Sequence, residues 1–297
     1  MCRKTIGAKV IAIPVELKKL KVEDEFSKFS HIRIGSTLPY FFAPQNYNQL
    51  RNIILWATKN NLEVLPIGGC SNILMGKAHN TAVISDQNLP RKLEFRTDSA
   101  ICSGNLNINY ILMQAAKQNL SGLEFLAGIP ANLGGVIKMN AGAYNQNISN
   151  ILQKITVMNL AGKIVEYDVS ELEFDYRNCK IEGFILAASL KLSAHTDSYK
   201  KIKKYLQKRK ASQPLKSNNL GCFFKNPTFA SAGQLIDKAG LKGFSYKNMQ
   251  VSKLHANFLI NKGSANFQQA TQLIKMVKQK VKEKFSVNLE LEVKVIE

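Results

Sequence analysis

Several short segments place residues where their types and spacing could do chemistry. In Phe174-Asp175-Tyr176-Arg177 an aromatic pair precedes a permanently charged guanidinium. Such a group binds a carboxylate or phosphate through two parallel N–H donors, or sits in a surface ion pair. In LGCFFKNP, Leu220 to Pro227, Cys222 follows a glycine and precedes two aromatics and Lys225-Asn226. A loop cysteine of this kind is either a reactive thiol or an inert packed residue. Glu290 and Glu292 are two apart in the last apolar segment, so a strand there puts both on one face, and a terminal strand commonly turns such a face to water.

Two glycine-bearing loops suggest what could be held beside these groups. PIGGCSNILM, Pro66 to Met75, brings the main-chain N–H groups of Gly68, Gly69 and Cys70 together with the side chains of Ser71 and Asn72, which suits a diphosphate as well as it suits a plain turn. It is not a G-x-G-x-x-G loop opening a helix, so a standard Rossmann site is disfavoured. GLEFLAGIPANLGGVIKMNAGAY, Gly122 to Tyr144, sets five glycines among apolar residues with only Glu124 and Lys138 charged. Close main-chain approach is built into it, either to a ligand or to a buried neighbour.

The elements that must position these groups alternate between the periods of strand and helix. Strands are expected at Leu38–Pro44 and Glu63–Ile67 around a helix at Tyr47–Lys59. Short strands follow near Val83–Ser85, Lys92–Arg96 and Ala100–Ser103, then a helix at Asn107–Gln118. KITVMNL and KIVEYDV form a hairpin about Ala161-Gly162, and Phe184–Leu192 closes this part. A basic helix after His195 crosses into a second part, with a glycine loop near Gly221, a helix at Gly233–Ala239, a strand at Ala256–Ile260, a helix at Asn266–Lys284 and a last strand at Asn288–Ile296.

Composition narrows the function classes. The chain has 297 residues, 45% of them apolar, enough for two cores. No apolar run approaches the roughly 20 residues of a membrane span, and the start is a poor signal peptide, so a cytoplasmic location is expected. Cys2, Cys70, Cys102, Cys179 and Cys222 are scattered, without C-x-x-C spacing, and neither disulfides nor a metal site are expected. The net charge of +20 is spread over amphipathic lysine-rich helices such as Ser198–Lys210 and Ile274–Phe285. No aromatic-interleaved motif accompanies it, so neither nucleic acid nor a membrane is expected as partner, although a basic surface attracts anionic small molecules. An enzyme holding a large phosphate-bearing cofactor and a non-enzymatic basic binding protein are the competing classes.

Read in order, RIGS at Arg33–Ser36, GGCSN at Gly68–Asn72, the Gly122–Tyr144 segment, FDYRNC at Phe174–Cys179, QPLKSNNLGCFFKNP at Gln213–Pro227, AGQLIDKAGLKG at Ala232–Gly243, VSKLHANFLIN at Val251–Asn261 and NLELEV at Asn288–Val293 form an ordered set. By these motifs the chain resembles the UDP-N-acetylenolpyruvoylglucosamine reductases, flavoenzymes of bacterial peptidoglycan precursor synthesis. The short spacing after the second glycine loop resembles the compact type, without a tyrosine-bearing insertion.

The resemblance implies an α+β fold. An N-terminal extension, 1–28, precedes an FAD-binding domain of the vanillyl-alcohol oxidase (PCMH) type over 29–195 and a smaller α/β substrate-binding domain over 196–297. It implies FAD held by Gly68, Gly69, Cys70, Ser71, Asn72, Gly128, Ile129, Pro130, Gly134, Gly135, Asn140 and Gly142. NADPH is the implied reductant, UDP-N-acetylglucosamine enolpyruvate the implied substrate, and a monomer the favoured state. Arg177, Cys222 and Glu292 match the family's reacting positions, with Tyr176, Arg209, Lys225 and Asn226 as substrate contacts. The departures are specific. Cys222 stands where the family has a proton-donating serine, Cys70 and Ser36 where glycines are usual, and Lys247-Asn248 where a flexible glycine pair is common. A thiol of ordinary pKa, about 8.5, donates a proton at neutral pH unless a cation such as Lys225 draws it down to the thiolate.

Overall fold

The structure is a computed structural model and describes residues 11–297. The first ten residues of the expected extension, Cys2 included, lie outside the described residues.

Strand β1 (Phe41–Phe42) is shorter than the Leu38–Pro44 strand expected. Helix α1 (Tyr47–Lys59) starts at Asn46, whose side chain accepts the Gln49 N–H and so satisfies one otherwise unpaired donor of the first turn. Next come β2 (Glu63–Ile67), β3 (Ile73–Met75) and β4 (Thr81–Ser85). A parallel sheet runs in the order β1-β4-β2. Leu50, Ile53, Ile54 and Ala57, one face of α1, are buried with Phe42, Ala82 and Ile84 of that sheet. Burial of each Leu or Ile side chain contributes roughly 1.5–3 kcal/mol. β2 runs directly into Gly68, so the first glycine loop lies at the carboxyl end of a parallel strand, the usual ligand end of such a sheet.

β5 (Leu93–Phe95), β6 (Ser99–Ser103), α2 (Ile108–Lys117) and α3 (Leu133–Lys138) come next. They are followed by β7 (Leu152–Met158), β8 (Ile164–Asp168), the short pair β9 (Phe174–Asp175) and β10 (Asn178–Cys179), and β11 (Phe184–Lys191). An antiparallel sheet of order β8-β7-β11-β6-β5 forms, with the expected hairpin turning at Gly162, φ 71°. α3 approaches this sheet closely, its Gly134 N–H donating to the Gly104 carbonyl at 2.8 Å. A Cβ on Gly104 would fall 2.0 Å from the Ile185 carbonyl oxygen, so only glycine fits there.

Toward the C-terminus lie α4 (Ser198–Ser212), α5 (Ala232–Lys238), β12 (Ser245–Tyr246), β13 (Met249–Val251), β14 (Leu259–Asn261), α6 (Phe267–Phe285) and β15 (Lys294–Ile296). An antiparallel β12-β13-β14 sheet shares one core with Ile236 of α5 and Leu273 and Val277 of α6. The Phe244–Ser252 segment, which carries Lys247-Asn248, is a tight hairpin in which Lys247 takes φ 51°, the conformation that a glycine adopts without strain. The strand expected at Ala256–Ile260 forms instead at Leu259–Asn261.

The last segment departs most from expectation. Regular pairing is confined to Lys294–Ile296, which lies parallel to β3 and so returns the chain end to the N-terminal sheet region. Upstream, Leu291 bridges Phe224 and the Glu292 N–H donates to the Phe223 carbonyl at 2.9 Å. The segment is handed from one partner to another, so strict alternation is lost. Glu290 is exposed, whereas the Glu292 side chain is only 17% exposed and turns toward Arg177.

Candidate active site

A cavity of about 530 Å³ opens between the glycine loops of the N-terminal part and the Gln213–Cys222 segment. Gly68, Gly69, Cys70, Ser71 and Asn72 line one side, Gly128 to Asn132 and Gly135 another. Gly142, Arg177, Arg209, Cys222 and Glu292 also line it.

The first loop carries main-chain donors that could hold an anion. Among the described residues its main-chain N–H groups from Gly68 to Asn72 donate to no other main-chain group, while the Cys70 and Asn72 carbonyls accept from His31 and Lys294. Cys70 takes φ 48° with its thiol buried beside the Gly68 carbonyl, so the cysteine is accommodated in a backbone conformation that glycine favours. The Asn72 side chain is already engaged, donating to the Glu292 carbonyl at 3.1 Å. It therefore braces the C-terminal segment across the cavity wall. Beneath the loop, Asp86 accepts from Asn132 at 3.3 Å, and burial pushes its carboxyl up to about 7.

The second segment supplies space rather than side chains. A Cβ on Gly135 would meet nothing within 4 Å, because that side of α3 faces the cavity. Gly134 is not on the cavity; it serves the contact of α3 with the sheet. Asn140 is likewise off it and donates to the Asp175 carbonyl at 3.1 Å, holding the β9–β10 turn. That turn carries Arg177 at φ 58°.

Arg177 reaches Glu292 from this turn. Its Nε lies 3.2 Å from Glu292 Oε1, and its Nη2 donates to the Gly142 carbonyl at 3.1 Å. Burial raises the Glu292 carboxyl above the usual carboxylate range, and the guanidinium opposes that rise. Cys222 is half-buried, and its surroundings push the thiol up to about 12; Glu292 adds to the rise, and Arg177 and Arg209 oppose it. Lys225, the cation near Cys222 in sequence, lies 3.8 Å from exposed Glu290 instead and does not line the cavity. The rise at Cys222 favours the thiol over the thiolate at neutral pH.

The expected substrate contacts separate into two groups. Arg209 lines the cavity, with its Nη1 3.4 Å from Gln213 Oε1 and its buried Nε without a hydrogen-bond partner among the described residues. A buried unpaired guanidinium N–H is costly, and an anionic ligand oxygen would satisfy it. Tyr176 lies off the cavity, 44% exposed, with its ring 5.0 Å from the Arg177 guanidinium. Asn226 accepts from the Ala232 N–H at 3.0 Å and fixes the start of α5 rather than lining the cavity. Sequence reasoning missed Asn132, Gln213 and Asn219, all of which line the cavity. The signal for Asn219 was its place two residues before Gly221, whose N–H it accepts at 2.8 Å in a side-chain-closed turn.

These features accord with known proteins. Residues 39–168 match the family model described as FAD binding domain, and residues 213–296 match that of the UDP-N-acetylenolpyruvoylglucosamine reductase C-terminal domain. The chain is 35% identical to UDP-N-acetylenolpyruvoylglucosamine reductase of Chlamydia abortus over 91% of this chain and 92% of that one. It is 33% identical to the enzyme of that name from Clostridium tetani, over 94% and 92% of the two chains. The crystal structure of UDP-N-acetylenolpyruvylglucosamine reductase from Thermus caldophilus superposes with a TM-score of 0.80 at 27% identity, covering 94% of this chain and all of that one. With its α+β architecture and its FAD-binding domain, the chain belongs to the UDP-N-acetylenolpyruvoylglucosamine reductase family.

Proposed function

We propose that the protein reduces the enolpyruvyl group of UDP-N-acetylglucosamine enolpyruvate to give UDP-N-acetylmuramate for peptidoglycan precursor synthesis, using NADPH, in the cytoplasm. One observation carries the reading: Arg177, Cys222 and Glu292, from three distant segments, converge on one cavity that is walled by both glycine loops.

The residues fit FAD. Main-chain donors at Gly68–Asn72, unpaired among the described residues, suit its diphosphate, and the open face at Gly135 leaves room for a flat ring system. When bound, FAD supplies the hydride for the substrate double bond.

Hydride addition to an α,β-unsaturated carboxylate builds negative charge on the carboxylate side. Arg177, held in place by Glu292 and the Gly142 carbonyl, offers a fixed positive charge to that developing enolate. Glu292 keeps the guanidinium oriented through their 3.2 Å contact, and burial raises its carboxyl against the opposing effect of that guanidinium. Cys222 gives its S–H proton to the adjacent carbon and is left as a thiolate, with Arg177 and Arg209 as the nearby cations that ease its formation. Water then reprotonates the sulfur. Arg209, whose Nε is unpaired among the described residues, is assigned to an anionic group of the substrate.

The test is an anaerobic assay of NADPH oxidation by the purified yellow protein. Oxidation that depends on UDP-N-acetylglucosamine enolpyruvate supports the reading, and oxidation indifferent to it contradicts the reading.

A further inference from the structure

Behind the first glycine loop sits a carboxyl group that takes no part in the reduction. Asp86 directly follows β4, and its main chain is held on both sides. Its N–H donates to the Ile67 carbonyl at 3.1 Å, and its own carbonyl accepts from the buried Asn105 amide at 3.1 Å. The side chain is thereby set behind two walls of the cavity at once. A Cβ on Gly68 would lie 3.2 Å from Asp86 Oδ2, and Oδ1 accepts from Asn132 Nδ2 at 3.3 Å, while Gly68 and Asn132 themselves line the cavity. The carboxyl is thus one residue removed from the Gly68–Asn72 donors that suit a diphosphate.

No cation offsets it there. Arg91, whose charge favours the carboxylate, is exposed and donates to the Gln87 carbonyl at 3.2 Å, and among the described residues Asp86 forms no ion pair. From the loop it faces the Cys70 thiol, pushed up by burial to about 12 and therefore neutral, and from the other sides the neutral amides of Asn105 and Asn132. The other titratable groups that bear on the cavity are His31, lowered by burial and by Arg33, Glu292, raised by burial, and Cys222. A carboxylate behind Gly68 repels an anion held on the loop, and a carboxylic acid does not.

We propose that Asp86 is a proton-linked member of the cofactor site: FAD is held with this carboxyl in its acid form, so that holding the diphosphate above neutral pH takes up one proton. The proton comes from solvent and ends on an Asp86 oxygen, and no bond of the flavin forms or breaks. The coupling is reciprocal, since a bound diphosphate that favours the acid form is itself favoured by that form to the same extent. Burial, by pushing the carboxyl up to about 7, places the exchange near neutral pH.

This rests on the reading of Gly68–Asn72 as the diphosphate loop, and the test separates the two. The yellow holoenzyme is diluted at a series of pH values, and the fluorescence of released flavin gives the FAD dissociation constant without requiring turnover. For the wild type that constant should rise about tenfold between pH 6.5 and pH 8.5, as loss of one proton from the favoured form requires. Asp86→Asn, which keeps the size of the side chain and removes its charge, should be nearly flat over the same range, equal to the wild type near pH 6 and tighter at pH 8.5. A merely structural role would instead weaken retention in the variant at every pH, and that result overturns the proposal. The same slope in Asp86→Asn as in the wild type also overturns it. So does a wild-type constant that does not change with pH, a result that needs no variant and decides the matter even if Asp86→Asn does not fold. Protein purified without flavin overturns the FAD reading and this proposal together, whereas flavin held equally well at every pH overturns this proposal alone.

Discussion

Arg177 Nε and Glu292 Oε1 are 3.2 Å apart, joining a β-turn of the N-terminal part to the last segment of the chain. The pair is mostly buried, so removing one partner leaves the other uncompensated. Arg177→Ala is expected to lower kcat/KM for the enolpyruvyl substrate by about 10²–10³, as loss of a transition-state charge contact does, while the rate of flavin reduction by NADPH stays near wild type. Arg177→Lys restores only part of the loss, because an ammonium cannot serve Glu292 and the Gly142 carbonyl with the fork of a guanidinium. Equal losses in both half-reactions would place Arg177 outside the reducing step.

Two glycines on the second segment are expected to fail differently. Gly135→Leu puts a side chain into open cavity space from a helical position and weakens FAD retention, read by flavin absorbance after desalting, with the apoprotein as stable as wild type. Gly142→Ala places a Cβ 2.1 Å from the Gln146 carbonyl oxygen and lowers the stability of the apoprotein itself. Full flavin retention in Gly135→Leu would remove the cofactor from this wall.

Asp86 gives the fold a pH dependence of known sign. Its carboxyl goes from 3.8 to about 7 on folding, so the unfolded chain gives up a proton that the native state keeps across that window. Stability contributed by the protonated form is complete below pH 4 and is lost as the pH rises to about 7. Asp86→Asn should therefore stabilise the protein at pH 8 by of order 1–4 kcal/mol and have little effect at pH 4. Urea unfolding at the two pH values measures this, and the same difference at both would show that the carboxyl is not titrating in the fold.

Because burial holds the Cys222 thiol up to about 12, alkylation is expected to be slow at pH 7 and to accelerate through pH 10 without a plateau. Saturating substrate protects against it. Full activity after verified modification of Cys222 would contradict a role for the thiol in the reaction.

Much of this arrangement was legible in the sequence because local rules decide it. Asn46 and Asn266 cap helices by accepting from the residue three ahead, and the apolar face of α1 follows from Leu50, Ile53, Ile54 and Ala57. Arg177, Cys222 and Glu292 stood out by type and motif. What sequence could not give were pairings set by distant chain. Glu290 and Glu292 look equivalent until the N–H of Glu292 is drawn to Phe223, which turns one carboxylate to water and the other to Arg177. Lys225, three residues after Cys222 in sequence, is drawn off by Glu290. Asn257 stood within a recognised motif, but its grip on Phe224 joins residues 33 apart in sequence.

The most direct test of the central claim is stopped-flow measurement of the two half-reactions of Cys222→Ala. NADPH should reduce the flavin of the variant at close to the wild-type rate, and oxidation of the reduced flavin by UDP-N-acetylglucosamine enolpyruvate should be slower by roughly 10²–10⁴, the typical worth of a positioned proton donor. Cys222→Ser, which restores a hydroxyl donor, should recover most of that rate. Normal oxidation of the reduced flavin by substrate in Cys222→Ala would contradict the assignment.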